Sequence, residues 1–122
     1  MKIVEVKKKA TPGSVIRLKY CDTFVSRLLG LMFTREIDID GGIQLAGKRD
    51  SIANTSIHMM FMRYDIAVVW VSEDLVVVDK TLAKKWGLFY SPKHPAMHVL
   101  ELHPSKLSEF EIGDQLLIHA VN

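Results

Sequence analysis

The sequence predicts a mainly β fold, a compact sandwich or barrel with one or two short helices, in a single domain over residues 1–122. Short apolar segments, roughly seven or eight in number, alternate with the two-residue period of strands. Only one segment has the spacing of a convincing helix. The chain has 122 residues, 48% of them hydrophobic, which is enough to bury a core without disulfides or metals. This composition excludes a disordered chain.

The first half predicts a hairpin followed by a helix. Residues 2–8 and 14–20 alternate apolar and polar side chains on either side of a Pro-Gly turn, as paired strands with one solvated face do. Asp22 then predicts a helix start, because its carboxylate can cap free backbone N–H groups. Apolar residues follow at helical spacing, Leu28 among them, and Gly30 predicts the end of the helix.

The middle of the chain predicts further short strands. We expect a short strand at 43–46, a polar loop at 47–54 and a strand at 56–62. Residues 66–72 and 75–79 predict a second hairpin around a polar turn. Because the first of these two strands is almost continuously apolar, we expect it to be buried on both faces.

The last third predicts a long loop at 83–96, which is rich in aromatic residues and prolines. A strand at 97–102, a short helical turn at 105–110 and a final strand at 115–121 follow. The predicted core residues share the apolar phase of their elements. They are Ile16, Leu18, Phe24, Leu28, Leu31, Met59, Val69, Val77, Leu100 and Leu117.

Charge argues against a nucleic-acid partner. Sixteen basic and fourteen acidic residues give a formal net charge of +2, whereas nucleic-acid binding requires basic residues clustered on one face. The densest cluster, Lys7 to Lys9, is typical of a solvated edge strand, because lysine discourages pairing between sheet edges.

Several features predict a cytoplasmic protein. Cys21 is the single cysteine, so no internal disulfide can form and a reducing compartment is indicated. The N-terminus lacks the apolar region of a secretory signal, and the run from Ile66 to Val71 is far too short to span a membrane. Asparagine and glutamine occur only twice each, a depletion seen in proteins from thermophiles.

Four strings in order resemble one known family. They are Arg-Leu-Leu-Gly-Leu-Met at 27–32, the Met-rich segment 57–66, Val-Leu-Glu-Leu at 99–102 and Gly-Asp at 113–114. Together they are similar to the uncharacterised bacterial and archaeal family numbered 192 among domains of unknown function, also called uncharacterised protein family 0127. The resemblance implies a small β-rich sandwich or barrel and no established activity, cofactor or catalytic residue. The family's usual Lys-Asn-Thr is replaced by Met-Phe-Met at 60–62.

The strongest candidate for a binding site is the loop 86–95. Trp86 and Tyr90 offer flat contact area at low entropic cost, and the prolines stiffen the loop. We expect a non-enzymatic binding or accessory domain that recognises a small polar molecule or a peptide through this loop. Arg27, His58 or Glu101 would lie at its base. A simpler interpretation makes the loop a lid that packs its own aromatic side chains.

A structural ion pair is the second prediction. Arg27, Asp65 and Glu101 each lie beside strongly apolar residues, and a buried charge requires a partner. We expect the Arg27 guanidinium to hold the carboxylate of Glu101 or Asp65, tying the helix to the sheet.

No cofactor and no metal is expected. His94 and His98 have a spacing found in helical zinc sites, but the proline between them at 95 disfavours a helix. No catalytic set is complete, so the sequence leans against an enzyme. Two alternatives stay open: a small hydrolase that uses Cys21 or a histidine–carboxylate pair, and a homo-oligomeric structural protein.

Overall fold

The structure is a computed structural model that describes residues 2–11, 15–23, 31 and 34–121. The described residues contain the strands β1 (Ile3–Lys8), β2 (Ile16–Cys21), β3 (Gly42–Ser51), β4 (Ile66–Val71), β5 (Val77–Ala83), β6 (Ala96–Leu102) and β7 (Leu116–Ala120). Two short 3-10 helices cover Ala53–Thr55 and Pro104–Glu109. The mainly β prediction is confirmed.

All seven strands belong to one sheet in the order β5-β4-β6-β3-β2-β1-β7. The pairs are antiparallel except β2 with β3, which run parallel. Parallel neighbours need a long connection, and residues 22–41 provide it. Most of the helix predicted in this connection lies outside the described residues, and so do Phe24, Arg27 and Leu28.

The sheet curls until its two edge strands meet at one end. Val76 bridges Gln115, and the Leu116 amide donates to the Leu75 carbonyl at 2.8 Å. Beyond that point the edges diverge, and the Pro104–Glu109 helix lies across the gap. Lys80 Nζ donates to its Leu107 carbonyl at 3.1 Å. The result is a half-barrel, which decides between the two predicted architectures.

Curling gives the sheet two buried faces. Alternate residues of β4 show this, since Val69 and Val71 pack inside the half-barrel while Val68 and Trp70 pack outside it. Every residue of β4 is buried, as its apolar run predicts. We call the inside cluster the inner core and the outside cluster the outer core. The outer core is completed by the loops at 52–65 and 84–95.

Several local predictions are wrong. β3 continues to Ser51 through the expected polar loop, and the expected strand at 56–62 is a loop that turns at Phe61, whose φ is +65°. Leu117 is 38% exposed while Leu116 is fully buried, so the predicted phase of β7 is off by one residue. The lysine-rich β1 lies between β2 and β7 rather than at an edge.

The remaining predicted core residues that the structure describes are all buried: Ile16, Leu18, Leu31, Met59, Val69, Val77 and Leu100.

Within the described part of the chain, no helix is long and apolar enough to cross a membrane.

Candidate functional site

Two loops over the outer core are joined by backbone hydrogen bonds. Ile57 and Tyr90 exchange N–H···O bonds of 2.9 Å in both directions. Further along, the Met59 amide donates to the Gly87 carbonyl at 3.1 Å, and the Trp86 amide donates to the Met59 carbonyl at 3.0 Å. We call residues 57–62 and 84–90 the paired loops. Four mutual bonds make them one unit.

Side chains fasten this unit at its base. Asp65 accepts the backbone N–H of Lys85 at 2.9 Å, and its other oxygen lies 3.5 Å from Lys84 Nζ. The backbone hydrogen bond from Lys85, with the charge of Lys84, lowers the pKa of the Asp65 carboxyl. The Tyr90 hydroxyl accepts the Lys84 amide at 3.0 Å.

A second fastening holds the chain just after the paired loops. The buried Asp79 of β5 accepts the amide of Lys93 at 2.9 Å through one carboxylate oxygen. The hydroxyls of Ser56 and Ser91 are 2.7 Å apart. The long aromatic loop is therefore anchored at both ends against the sheet.

The outward side of the paired loops is apolar. Phe89 is 77% exposed, Leu88 72% and Trp86 58%, while Phe61 and Met60 are each just over 40% exposed. The rings of Phe61 and Trp86 meet edge to face with centroids 5.3 Å apart. We call these five residues the loop patch. The inward residues Ile57, Met59, Met62 and Tyr90 pack on the outer core.

The backbone of the loop patch is unusual at two of its residues. Phe61 and Trp86 adopt positive φ values of 65° and 62°, a conformation that costs a residue with a Cβ on the order of 1 kcal/mol or more. The bond from its own amide to the Met59 carbonyl holds Trp86, and a bond of 3.2 Å from the Met62 amide to the same carbonyl closes the turn that contains Phe61. The unfavourable backbone conformation therefore occurs at the two residues whose exposed aromatic rings touch.

The segments that carry the loop patch are rich in basic residues. Residues 57–65 and 84–95 contain four basic side chains, at Arg63, Lys84, Lys85 and Lys93, and one acidic side chain, at Asp65. Asp65 is already paired with Lys84. Arg63, Lys85 and Lys93 are exposed and lie in, or within three residues of, the paired loops, so the segments that carry the patch have an excess of exposed positive charge.

Glu101 lies beneath the outer core and is 7% exposed. Its neighbours across the sheet are Ile43 on β3 and Val68 on β4. Because the carboxyl is desolvated, its pKa rises to about 7. Among the described residues, no basic side chain comes within ion-pair distance of it. A Cβ on Gly42 would lie 2.2 Å from the Glu101 carbonyl oxygen, so only glycine permits this strand contact.

Two further weak acids lie near Glu101. Burial raises the pKa of the Cys21 thiol, and the Glu101 and Asp22 carboxyls raise it further against the opposing charge of Lys19. Burial also raises the pKa of the Tyr64 hydroxyl, which lies 2.5 Å from that of Thr34. A buried thiol with a raised pKa is a poor nucleophile, so this cluster does not support hydrolysis by Cys21.

The predicted site residues therefore fall into separate groups. Trp86, Tyr90 and His58 belong to the paired loops, and Glu101 lies sealed below. Asp65 pairs with Lys84, while Arg27 is outside the described residues, so its ion pair stays a prediction. No described group of three or more His, Cys, Asp or Glu residues could hold a metal ion.

Sequence analysis missed Met60, Phe61 and the anchor Asp79. The sequence predicts a strand at 56–62, and only the turn at Phe61 exposes Met60 and Phe61. Asp79 lies in a predicted strand, where an acidic side chain is disfavoured. That local inconsistency is the signal that could have identified it.

Comparison with known proteins identifies relatives along nearly the whole chain. The family model DUF192, described as "Uncharacterized ACR, COG1430", matches residues 4–118. A UPF0127 protein of Thermococcus kodakarensis is 41% identical over 118 residues, covering 97% of this chain and 71% of its own. A UPF0127 protein of Pyrococcus furiosus is 35% identical over 111 residues, covering 87% of this chain and 91% of its own.

Two solved structures have a similar fold. A Sinorhizobium meliloti protein, provisionally assigned as a transcription regulator, superposes with a TM-score of 0.83 at 16% identity, covering 95% of this chain and 92% of its own. A Novosphingobium aromaticivorans protein of unknown function superposes with a TM-score of 0.82 at 18% identity, covering 94% and 83%. At these identities the likeness concerns the fold alone.

Proposed function

We propose a non-enzymatic peptide-binding function for this protein, which belongs to the DUF192 family of uncharacterised proteins. The binding surface is the loop patch. Its ligand is an extended or helical segment of a partner protein that carries an aromatic or aliphatic anchor and acidic neighbours.

The observation that carries the proposal is the exposure of large apolar side chains on a rigid support. Folding gains little from Phe89 or Leu88, which stay mostly in water. It also bears the cost of positive φ at Phe61 and Trp86. Exposed aromatic residues held in place by their scaffold are typical of binding hot spots, because little entropy is lost when a partner docks.

The charge of these segments selects an acidic partner. Arg63, Lys85 and Lys93 are exposed and are near the patch in sequence. Basic groups near a binding surface accelerate encounter with an acidic segment and disfavour basic ones. The patch itself would bury the apolar anchor of the peptide.

A small polar ligand held by Glu101 is less well supported. Glu101 is only 7% exposed and lies on the sheet face that the outer core covers. A ligand could reach it only if the covering residues moved aside. The loop patch needs no such rearrangement, which favours a peptide over a small polar molecule.

The two tryptophans provide a direct assay. Trp86 is 58% exposed, whereas Trp70 is buried and donates its indole N–H to the Thr55 carbonyl at 2.7 Å. A synthetic peptide with Phe and Leu flanked by Glu should shift Trp86 emission to shorter wavelength while Trp70 stays constant. The same peptide with Lys in place of Glu is the charge control. Trp70→Phe isolates the Trp86 signal.

Variants locate the binding surface. We expect Trp86→Ala with Phe89→Ala to weaken binding of the acidic peptide about tenfold or more. The matched control is Ile112→Ala, which removes an apolar side chain 63% exposed and outside the paired loops. Equal binding of the Lys peptide, or an equal loss with Ile112→Ala, would contradict the proposal. Binding to vesicles with phosphatidylserine but not to either peptide would replace it with a membrane surface.

A further inference from the structure

The two edges of the sheet differ in what lies beside them. The Pro104–Glu109 helix and the backbone of Lys93 lie against β5, where the Lys93 amide donates to Asp79 at 2.9 Å. β7 meets the opposite edge only around its first residue, and otherwise β1 is its one neighbour among the described strands. Proteins usually protect a free edge with lysine, proline or a covering segment. The strand Leu116–Ala120 contains neither lysine nor proline.

Alternate backbone groups of β7 lack a partner in the described part of the chain. The Val121 amide donates to the Ile3 carbonyl at 3.1 Å, so the odd-numbered residues of this segment direct their N–H and C=O groups at β1. The even-numbered residues Ile118 and Ala120 direct theirs at the open side of the strand. Among the described residues, none bonds to these two amides and two carbonyls.

Exposed apolar side chains flank these backbone groups. Ile118 packs on the inner core, so its odd-numbered neighbours lie on the outer face of the sheet. Leu117 and Val121 are 38% and 37% exposed there, on either side of the exposed His119. The outer core contains no described residue of β1 or β7. Unpaired strand edges with adjacent apolar side chains are where another strand can be added.

We propose that β7 pairs with the β7 strand of a second copy of this chain, antiparallel and about a twofold axis that passes between the two copies of His119. Ile118 of each copy then faces Ala120 of the other. In this register the free amides and carbonyls of both strands all pair with one another. The interface is isologous, because the same strand contributes both sides.

The same register also accounts for the exposed apolar side chains. Leu117 and Val121 are equally far from His119 in sequence, so Leu117 of each copy lies opposite Val121 of the other and both lose contact with water. An unrelated extended peptide would satisfy the backbone groups without this match, which favours a second copy. The two histidines face each other at the centre, and each has the Glu5 carboxylate 3.3 Å away to offset a positive charge.

The pairing is independent of the peptide-binding function, since no residue of the loop patch takes part. The contact is confined to one strand from each copy, so we expect a weak, reversible dimer that dissociates at low micromolar concentration. Sedimentation velocity over a dilution series measures this equilibrium with the unmodified protein. A protein that stays monomeric at millimolar concentration overturns the proposal.

Hydrogen exchange of single amides locates the interface. The amides of Leu117 and His119 bond to β1 and should be protected at every concentration. Those of Ile118 and Ala120 should exchange rapidly in dilute protein and slow down as the dimer forms. Exchange at these two positions that does not change with concentration, in a protein that dimerises, places the interface elsewhere and overturns the proposal.

Two variants test the strand pairing. Ala120→Pro removes a free N–H and no hydrogen bond within the chain, so the fold should persist while the dissociation constant of the dimer rises about tenfold or more. Ala120→Val keeps the N–H and is the matched control. Leu117→Glu places a carboxylate beside Lys7 of its own chain but opposite an apolar side chain in the dimer, and should also weaken association.

The variants also distinguish this interface from one formed by the loop patch. Circular dichroism confirms that each variant is folded before association is compared. Phe89→Ala, in the loop patch, should leave the dimer unchanged. The proposal is overturned if Ala120→Pro and Ala120→Val associate equally, if Leu117→Glu dimerises like the unmodified protein, or if Phe89→Ala dissociates the dimer.

Discussion

The inner and outer faces of the curled sheet share strands but bury different groups. Inside the half-barrel, β3 and β6 contribute a buried pair of polar side chains. Gln44 Nε2 lies 3.2 Å from His98 Nδ1, and burial lowers the pKa of His98, which favours the uncharged ring. Outside, the same two strands bury Glu101 between Ile43 and Val68. The inner face contributes apolar burial, whereas the outer face accepts a desolvated acid.

The comparison shows that some groups on the outer face do not contribute to the stability of the fold. A mostly apolar inner core is what a small β domain needs. The outer core carries a carboxyl with a raised pKa and, above it, loops with positive φ and exposed aromatic rings. These features of the outer side cost free energy, and they lie where we place the peptide site.

The largest expected effect belongs to the inner face. Leu100 is fully buried in the inner core next to Glu101. Leu100→Ala should lower the free energy of unfolding by about 2–5 kcal/mol, because a cavity replaces lost contacts. Urea melts measure this, with the exposed Leu117→Ala as the control. A loss below about 1 kcal/mol would remove the contrast between the faces.

Replacing the adjacent residue, Glu101, should instead raise the free energy of unfolding at pH 8. Burial raises the pKa of Glu101 in the folded state to about 7, above the 4.5 of a solvated glutamate, so the folded state binds more protons than the unfolded state between these two pH values. Stability therefore falls as pH rises from 4.5 to 7. The full range corresponds to about 3 kcal/mol. We expect Glu101→Gln to flatten this dependence and to be more stable than the wild type at pH 8, by about 1–3 kcal/mol.

Urea melts across this pH range also test the predicted Arg27 ion pair. If a guanidinium holds Glu101 as a carboxylate, Glu101→Gln loses stability at pH 8 instead of gaining it. In that case Arg27→Lys would keep only part of the pairing, because a lysine ammonium cannot form the two parallel hydrogen bonds of a guanidinium.

A smaller effect is expected at the base of the paired loops. Asp65→Asn removes the carboxylate that accepts the Lys85 amide. Hydrogen exchange of the Trp86 amide should accelerate, while that of Leu100 should not, because the loops open without unfolding the sheet. In the wild type the same local opening should appear as pH falls through the lowered pKa of Asp65. Asp74→Asn at an exposed turn is the control, and equal acceleration there would contradict the anchor.

The smallest effect concerns the loop patch itself. Trp86→Phe should change the free energy of unfolding by no more than about 0.5 kcal/mol, because the side chain is 58% exposed. Trp70→Phe leaves the Thr55 carbonyl without its indole donor and should cost about 1–3 kcal/mol. Thermal or urea melts compare the two. Similar losses would show that Trp86 supports the fold and is not reserved for a partner.

The mainly β class, the family and most of the strands can be predicted from the sequence, because alternation of apolar side chains is a local property. The aromatic loop at 83–96 can be predicted from its prolines and aromatic rings. The burial of β4 on both faces can also be predicted, because a strand that is apolar at every position has no polar face to present to water.

Which apolar residues face a core depends on contacts between distant parts of the chain. Leu116 and Leu117 are adjacent and chemically identical, so pairing with β1 had to set the phase. Phe61 lies in a Met-rich apolar segment, and its exposure arises from a turn stabilised by contacts with the distant residues 86 and 87. The burial of Glu101 likewise depends on β3, β4 and the loops above them, which are far away in sequence. Such non-local contacts leave no trace in a local pattern.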